Sequence, residues 1–417
     1  MVFLDDRTIH PGCARDATVP LPLWRAARRV LIAGTAAVLM VAAAGCSTGS
    51  TTIESSAPPT SAQFDSGLAV RLDKAIEDTI AAASLPGAIV GVWGPDGEYV
   101  RAFGVADKTT HASMETDFSH RIGSLTKTFT VTGVLQLVDE GKVGLDDPIS
   151  TYVEGVPNGE HISIRQLAQM QSGLADFTSA EFDKVVFADP YVELTPQQLL
   201  DFAFAQPPRS SPGQGFEYVN TNAILLGLVV ENVSGMALSD YVAERILEPL
   251  GMEGTSFPTT NAFPKPHAQG YTNVTADREE ADATDWNPSW AWAAGAMIST
   301  LDDLRIWAPA LATGTLLQPE TQRQRLETIR VPGFPEDVGA GLGILNNSGW
   351  IGHGGSISGY QTQLLYLPEQ KISLAILTNT DFTSEGNAPS SLLAAAITEV
   401  ITPEHVFRGS PSTQNSD

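Results

Sequence analysis

A serine and a lysine three residues apart, Ser124 and Lys127, lie in the stretch Arg-Ile-Gly-Ser-Leu-Thr-Lys-Thr-Phe-Thr from Arg121 to Thr130. A hydroxyl is a weak nucleophile at neutral pH until a base takes its proton, and an amine one helical turn away can activate it. The pattern predicts a helix start here, which puts both side chains on one face. It also sets the partial positive charge of a helix N-terminus beside a developing oxyanion. Ser124 could equally be an ordinary helix cap and Lys127 a surface lysine, so the pair gains meaning only from what accompanies it.

Two further groups follow in order. Tyr218-Val219-Asn220 comes 94 residues after Ser124, behind Pro212-Gly213-Gln214-Gly215-Phe216-Glu217, and His353-Gly354-Gly355 comes 135 residues after Tyr218. A phenol titrates near pH 10 in water, so Tyr218 could act as a base only with cations close by, supplied by Lys127 or a protonated His353. Asn220 suits a hydrogen bond to Lys127 or to a substrate carbonyl, and also a cap for a helix over 221–233. The seven His include no His-Glu-x-x-His and no close carboxylate grouping. No catalytic metal and no cofactor is therefore expected.

Together the three groups resemble the motifs of the penicillin-recognising serine hydrolases: the D-alanyl-D-alanine carboxypeptidases, class C β-lactamases and the related esterases and D-aminopeptidases. The likeness extends over residues 64–402 and includes Leu85-Pro86-Gly87, Leu145-Asp146-Asp147-Pro148, Gln171-Ser172-Gly173-Leu174, Glu248-Pro249-Leu250-Gly251-Met252 and Leu377-Thr378-Asn379. Class C β-lactamases carry Lys-Thr-Gly at the third motif. His353-Gly354-Gly355 is closer to the carboxypeptidase and D-aminopeptidase type.

That resemblance implies an acyl-enzyme on Ser124, with Lys127 and Tyr218 sharing the proton work, Asn220 beside them, and His353 facing the serine from a strand. It implies an oxyanion hole from the backbone N–H groups of Ser124 and Ser356, and substrate passing close to Gly354 and Gly355. The expected activity is that of a D-alanyl-D-alanine carboxypeptidase-like peptidase on a small-molecule or peptide substrate. The alternatives are an esterase, a class C-type β-lactamase, a D-aminopeptidase, or a penicillin-binding sensor that acylates without turnover. One feature departs from the carboxypeptidase pattern. A substrate carboxylate is usually held by a cation near the third motif, yet no Lys or Arg occurs between Arg330 and Lys371. The tryptophans Trp286, Trp290 and Trp292 could wall a more apolar pocket.

The elements that must position these residues can be read from periodicity. Leu68, Leu72, Ile76 and Ile80 recur every four residues and predict a helix over 66–83. Apolar runs at 88–93 and 99–105, joined by Gly94-Pro95-Asp96-Gly97, predict a β-hairpin. Helical patterns follow at 164–170, 195–205, 221–233, 238–248 and 301–311. Strand patterns return at 338–345, 361–367 and 372–379, and a helix closes the chain at 389–401. This order suggests an α/β (α+β) fold of the β-lactamase/transpeptidase type, an antiparallel sheet flanked by helices with an inserted all-helical domain. The α/β part would span about 64–123 and 335–402, the helical part about 124–334, and 403–417 would be a tail.

With 417 residues and 42% hydrophobic content the chain is long enough for a large core. Its formal charge is −24, which argues against nucleic acid as a partner and against electrostatic docking on anionic lipid. Arg25, Arg28 and Arg29 precede an apolar run from Val30 to Ala44, closed by Ala43-Ala44-Gly45-Cys46. Residues 1–45 thus read as a lipoprotein-type signal peptide with lipidation at Cys46, a membrane anchor facing outward, with plain secretion as the alternative. Residues 46–63, rich in Ser, Thr and Pro, read as a flexible linker. The two cysteines, Cys13 and Cys46, both precede the expected folded body, which should hold no disulfide.

Overall fold

A computed structural model of the chain describes residues 63–384 and 386–409. Cys13, Cys46, the expected signal and most of the expected linker lie outside the described residues.

The first helix, Ser66–Ala83, is capped by the Asp65 carboxylate, which accepts from the N–H groups of Gly67 and Leu68. Its stripe buries Leu72 and Ile76 completely. Strands β1 (Gly87–Gly94) and β2 (Gly97–Gly104) then form the expected hairpin. The next four strands are two-residue segments, β3 (His120–Arg121), β4 (Tyr271–Thr272), β5 (Ala281–Asp282) and β6 (Ile298–Ser299), which pair as β3 with β6 and β4 with β5. The chain then supplies β7 (Ile329–Arg330), β8 (Val338–Ala340), β9 (Leu345–Asn347), β10 (Trp350–Ile357), β11 (Tyr360–Leu367) and β12 (Ile372–Thr378).

The main sheet is antiparallel, in the order β2-β1-β12-β11-β10-β9-β8-β7. Its central strands alternate between two buried faces. Ala88, Val90 and Val92 of β1 join Leu374 and Ile376 of β12 under the first helix and the closing helix Pro389–Ile401. Ile89 and Trp93 join Ala375 and Leu377 in the core shared with the helical region. A strand buried on both faces reads as an unbroken apolar run, which is why these were legible.

The fold expectation holds, and its details differ in four respects. The expected strand over 338–345 is two strands, because the chain reverses through Gly341–Ile344, where Gly341 N–H donates to Ile344 C=O at 2.9 Å. Ile329–Arg330 enters the main sheet although it falls in the stretch expected to be helical. The helical region is also not a separate core. Leu199, Val229 and Val242 share one apolar cluster with Ile89, Leu364 and Leu377 of the sheet. Helices Ala180–Ala188 and Pro319–Leu326 were not expected from periodicity. The second, Pro-Glu-Thr-Gln-Arg-Gln-Arg-Leu, has almost no apolar residue to carry a period.

Candidate active site

Ser124 lies in a 3-10 turn, Gly123–Leu125, that leads directly into the helix Thr126–Asp139. Its hydroxyl caps nothing, since the residue at the cap position is Leu125 and no side chain caps that helix. The helix itself has four Thr at alternating positions, poor helix formers by propensity. All four are fully buried, and tertiary bonds hold them. Thr126 Oγ1 accepts from Met297 N–H at 3.1 Å, Thr128 Oγ1 accepts from Trp307 Nε1 at 2.9 Å, and Thr130 Oγ1 donates to Ala293 C=O at 2.8 Å. Thr132 Oγ1 accepts from the buried Arg325 guanidinium at 2.7 Å. Phe129 stacks on Trp307 at 4.2 Å between ring centroids. The helix that follows Ser124 is therefore fixed by its surroundings.

Gly123 has φ of +51°, a conformation that a side chain strains, and a Cβ there would stand 2.5 Å from the Ser356 nitrogen. A Cβ on Gly355 would stand 1.9 Å from the Ile122 carbonyl oxygen. The turn bearing Ser124 thus lies backbone to backbone against β10. That contact brings the amide of Ser356 beside Ser124 and carries His353 on the same strand. Gly354 and Gly355 line the adjacent cavity. At Gly355 the space freed by the missing Cβ is taken by the turn.

Lys127 is fully buried. Its Nζ donates to Ser124 Oγ at 2.9 Å, to Asn220 Oδ1 at 2.9 Å and to Ala294 C=O at 2.8 Å. Burial drives its ammonium down to about 7, a shift that the Asp176 charge opposes. Near neutrality a large share of Lys127 is then a free amine. The carboxamide and carbonyl oxygens only accept, so the two remaining protons stay on them and the lone pair is left pointing at Ser124 Oγ.

Tyr218 precedes the helix Asn220–Ser234. Its ring lies 5.0 Å from Lys127 Nζ and 6.2 Å from the His353 ring. Burial raises its phenol, a hydrogen bond with Ser124 works the other way, and the Asp176 charge adds to the rise. The hydroxyl keeps its proton at neutral pH. His353 is buried on β10 and held down to about 4 by burial and then by the charge of Lys127. The sequence reading allowed a protonated His353 to favour a phenolate. The ring is instead neutral around pH 7, because desolvation outweighs any gain from charging it. Its Nδ1 donates to the Gly354 carbonyl, leaving Nε2 as an acceptor.

Asn220 occupies the first turn of its helix without capping it. The cap comes from Asp176, whose Oδ2 accepts from Asn220 N–H at 2.8 Å and from Asn220 Nδ2 at 3.2 Å. Asp176 went unnoticed in the sequence, two residues beyond the Gln171–Leu174 motif. A lone Asp in a loop carries no spacing signal.

Beside the cluster opens a cavity of about 340 Å³. Phe216, Val331, Phe334, Val338 and Leu345 form an apolar wall next to Ser124, Tyr218 and His353. Among the described residues lining it none is Lys or Arg. The tryptophans that could have formed this wall are not among its lining residues. Trp290 packs against Phe182, and Trp292 lies over Gly227, both against the shared core. The apolar lining comes from residues with no clustering in the sequence.

A serine in a turn at a helix start, a buried amine bonded to it and an antiparallel sheet strand alongside are the arrangement of the serine hydrolase superfamily. Residues 72–398 match the family described as Beta-lactamase, and the chain belongs to that family. It is 31% identical to a D-stereospecific amidohydrolase from Streptomyces sp., covering 80% of this chain and 99% of that one with a TM-score of 0.73. It is 29% identical to the D-amino acid amidase of Ochrobactrum anthropi SV3 complexed with D-phenylalanine, covering 81% and 99%, again with a TM-score of 0.73. Protein flp of Staphylococcus aureus (strain N315) is 26% identical over 320 residues, and the match takes in 74% of this chain but 62% of that protein.

Proposed function

We propose that the chain hydrolyses amides, peptides or esters of D-amino acids with an apolar acyl side, through an acyl-enzyme on Ser124. The observation that carries this reading is the triply bonded Lys127, whose two fixed acceptors aim its lone pair at the serine. As Ser124 Oγ attacks the carbonyl carbon, its proton passes to Lys127 Nζ. The backbone N–H groups of Ser124 and Ser356 receive the oxyanion. When the tetrahedral adduct collapses, the leaving amine or alcohol takes a proton from Lys127, relayed by the Tyr218 hydroxyl, and water repeats the sequence to free the acyl group.

D-configuration is supported by the similarity to a D-stereospecific amidohydrolase and a D-amino acid amidase. The cavity has one apolar wall, carries Asp381 among its polar lining residues and has no Lys or Arg among the described residues that line it, which favours a neutral leaving group over the free carboxylate of a D-alanyl-D-alanine peptide. The carboxypeptidase activity expected from the motifs therefore ranks behind amidase and esterase chemistry. The proposal includes export and a lipid anchor at Cys46.

The test is a panel on the full chain: D-phenylalanine amide and its L-enantiomer, a D-Ala-D-Ala peptide, a short-chain aryl ester and a chromogenic cephalosporin, with intact-mass detection of adducts on Ser124. Turnover of the D-amide and the ester with a transient Ser124 adduct supports the reading. Preferred cleavage of the free-carboxylate peptide refutes the substrate assignment, and a stable adduct with no turnover refutes hydrolysis.

A further inference from the structure

The Asp176 carboxylate is buried in the loop before Phe177, yet no lysine or arginine pairs with it among the described residues. Its contacts are N–H groups: Asn220 N at 2.8 Å and Asn220 Nδ2 at 3.2 Å on Oδ2, and Thr178 N at 3.0 Å on Oδ1. The other end of the same Asn220 carboxamide accepts from Lys127 Nζ at 2.9 Å. A continuous line of hydrogen bonds therefore runs from Ser124 Oγ through Lys127 and the Asn220 amide to Asp176.

A carboxamide has a donor end and an acceptor end, and nothing in the amide itself says which faces the lysine. A carboxylate accepts only. With Asp176 holding Nδ2, the carbonyl oxygen must face Lys127. If the amide turned over, its NH2 would face the ammonium and one of the two acceptors aiming the lysine lone pair would be lost. The neighbouring loop is tied to the same helix turn, with Thr221 Oγ1 donating to Ala175 C=O at 2.8 Å and accepting from Phe177 N–H at 3.0 Å. The carboxylate is thus held in register with Asn220 by bonds between the two segments.

Resting on the serine hydrolase reading above, we propose that Asp176 is the positioning residue through which Asn220, and with it Lys127, is oriented and electrostatically tuned for the attack by Ser124. The charged or titratable groups facing Lys127 are Asp176, Tyr218 and His353, contributed by three different segments. Of these, Tyr218 keeps its proton and His353 is neutral near pH 7. Asp176 is then the anion that stabilises protonated Lys127 against the cost of burial. Removing its charge makes the ammonium easier to deprotonate, so the acid limb of the rate profile moves to lower pH.

The experiment compares wild type, Asp176→Asn and Asp176→Glu in the full chain, measuring kcat and KM for a neutral aryl ester from pH 5 to 9 together with thermal melting. For Asp176→Asn the expectation is a fall in kcat of about 10-fold or more with KM little changed, and an acid limb displaced downwards by about half a pH unit or more. For Asp176→Glu, which keeps the charge but displaces the amide, kcat falls and the limb stays within about 0.2 units of wild type. A limb unmoved in Asp176→Asn, or moved equally in Asp176→Glu, overturns the proposal. Should Asp176→Asn fail to fold, Asp176→Glu decides through kcat: a fall with KM and melting unchanged supports the positioning role, and a wild-type kcat overturns it. Wild-type hydrolysis that persists without Ser124 would count against the serine hydrolase reading itself, a separate result.

Discussion

Gly355 of β10 lies so close to Ile122 that a methyl group on it would stand 1.9 Å from the Ile122 carbonyl oxygen. The obstruction is backbone on both sides and cannot be relieved by a side-chain rotation. Gly355→Ala must therefore push β10 away from the Ser124 turn. We expect a loss of about 2 kcal/mol or more in stability and near-complete loss of hydrolysis. Gly354→Ala is the control, because its Cβ would meet the end of the Gln363 side chain at 3.0 Å. It should fold with nearly normal stability. Melting temperatures and ester turnover of the two variants check the pair, and equal behaviour would contradict the geometry.

Ser124→Ala removes the nucleophile without touching the turn that carries it. Turnover should fall by about 10³-fold or more, with an unchanged melting profile and no covalent adduct by intact mass. Residual hydrolysis at the wild-type rate would place the chemistry elsewhere.

The pH dependence follows from Lys127, whose amine must be neutral to accept the serine proton. Its folded-state value is depressed to about 7 from 10.5, so activity is present above that value and lost as pH falls through it. His353, held down to about 4, and Tyr218, raised by burial, should add no limb between pH 5 and 9. Initial rates of ester hydrolysis across that range should show a single acid limb. Lys127→Arg, permanently charged, should be inactive at every pH tested. An active Lys127→Arg enzyme would rule out the lysine as base.

Substrate preference should trace to the apolar wall. Phe334→Ala is expected to lower kcat/KM about 10-fold for a substrate with a large apolar acyl side and to leave a short acetyl ester nearly unaffected. Paired kinetics on the two substrates read this directly. Equal losses would show that Phe334 acts through the fold.

Much of the site was legible in sequence because its parts are local patterns. Ser124 and Lys127 are one turn apart, Tyr218 and Asn220 stand at the head of a long apolar helical run, and the hairpin at Gly94–Gly97 carries turn chemistry. Strand β10 was visible only through the motif it bears, since Trp-Ile-Gly-His-Gly-Gly-Ser-Ile lacks the apolar run of its neighbours. Its strand form is set by pairing with β11, from Ile351 opposite Tyr366 to Ile357 opposite Tyr360.

By itself the sequence determined the serine and lysine one turn apart, the order of elements and the lack of a cation near the third motif, all properties of residue type and spacing. The tertiary structure decided which groups are charged and which walls are apolar. Burial sets the protonation of Lys127, Tyr218 and His353, and it depends on what packs around them from distant segments. Asp176 reaches Asn220 across 44 positions, and Phe216 joins Phe334 on one cavity wall. Neither relation leaves a period or a motif, because each exists only once the chain has folded back on itself.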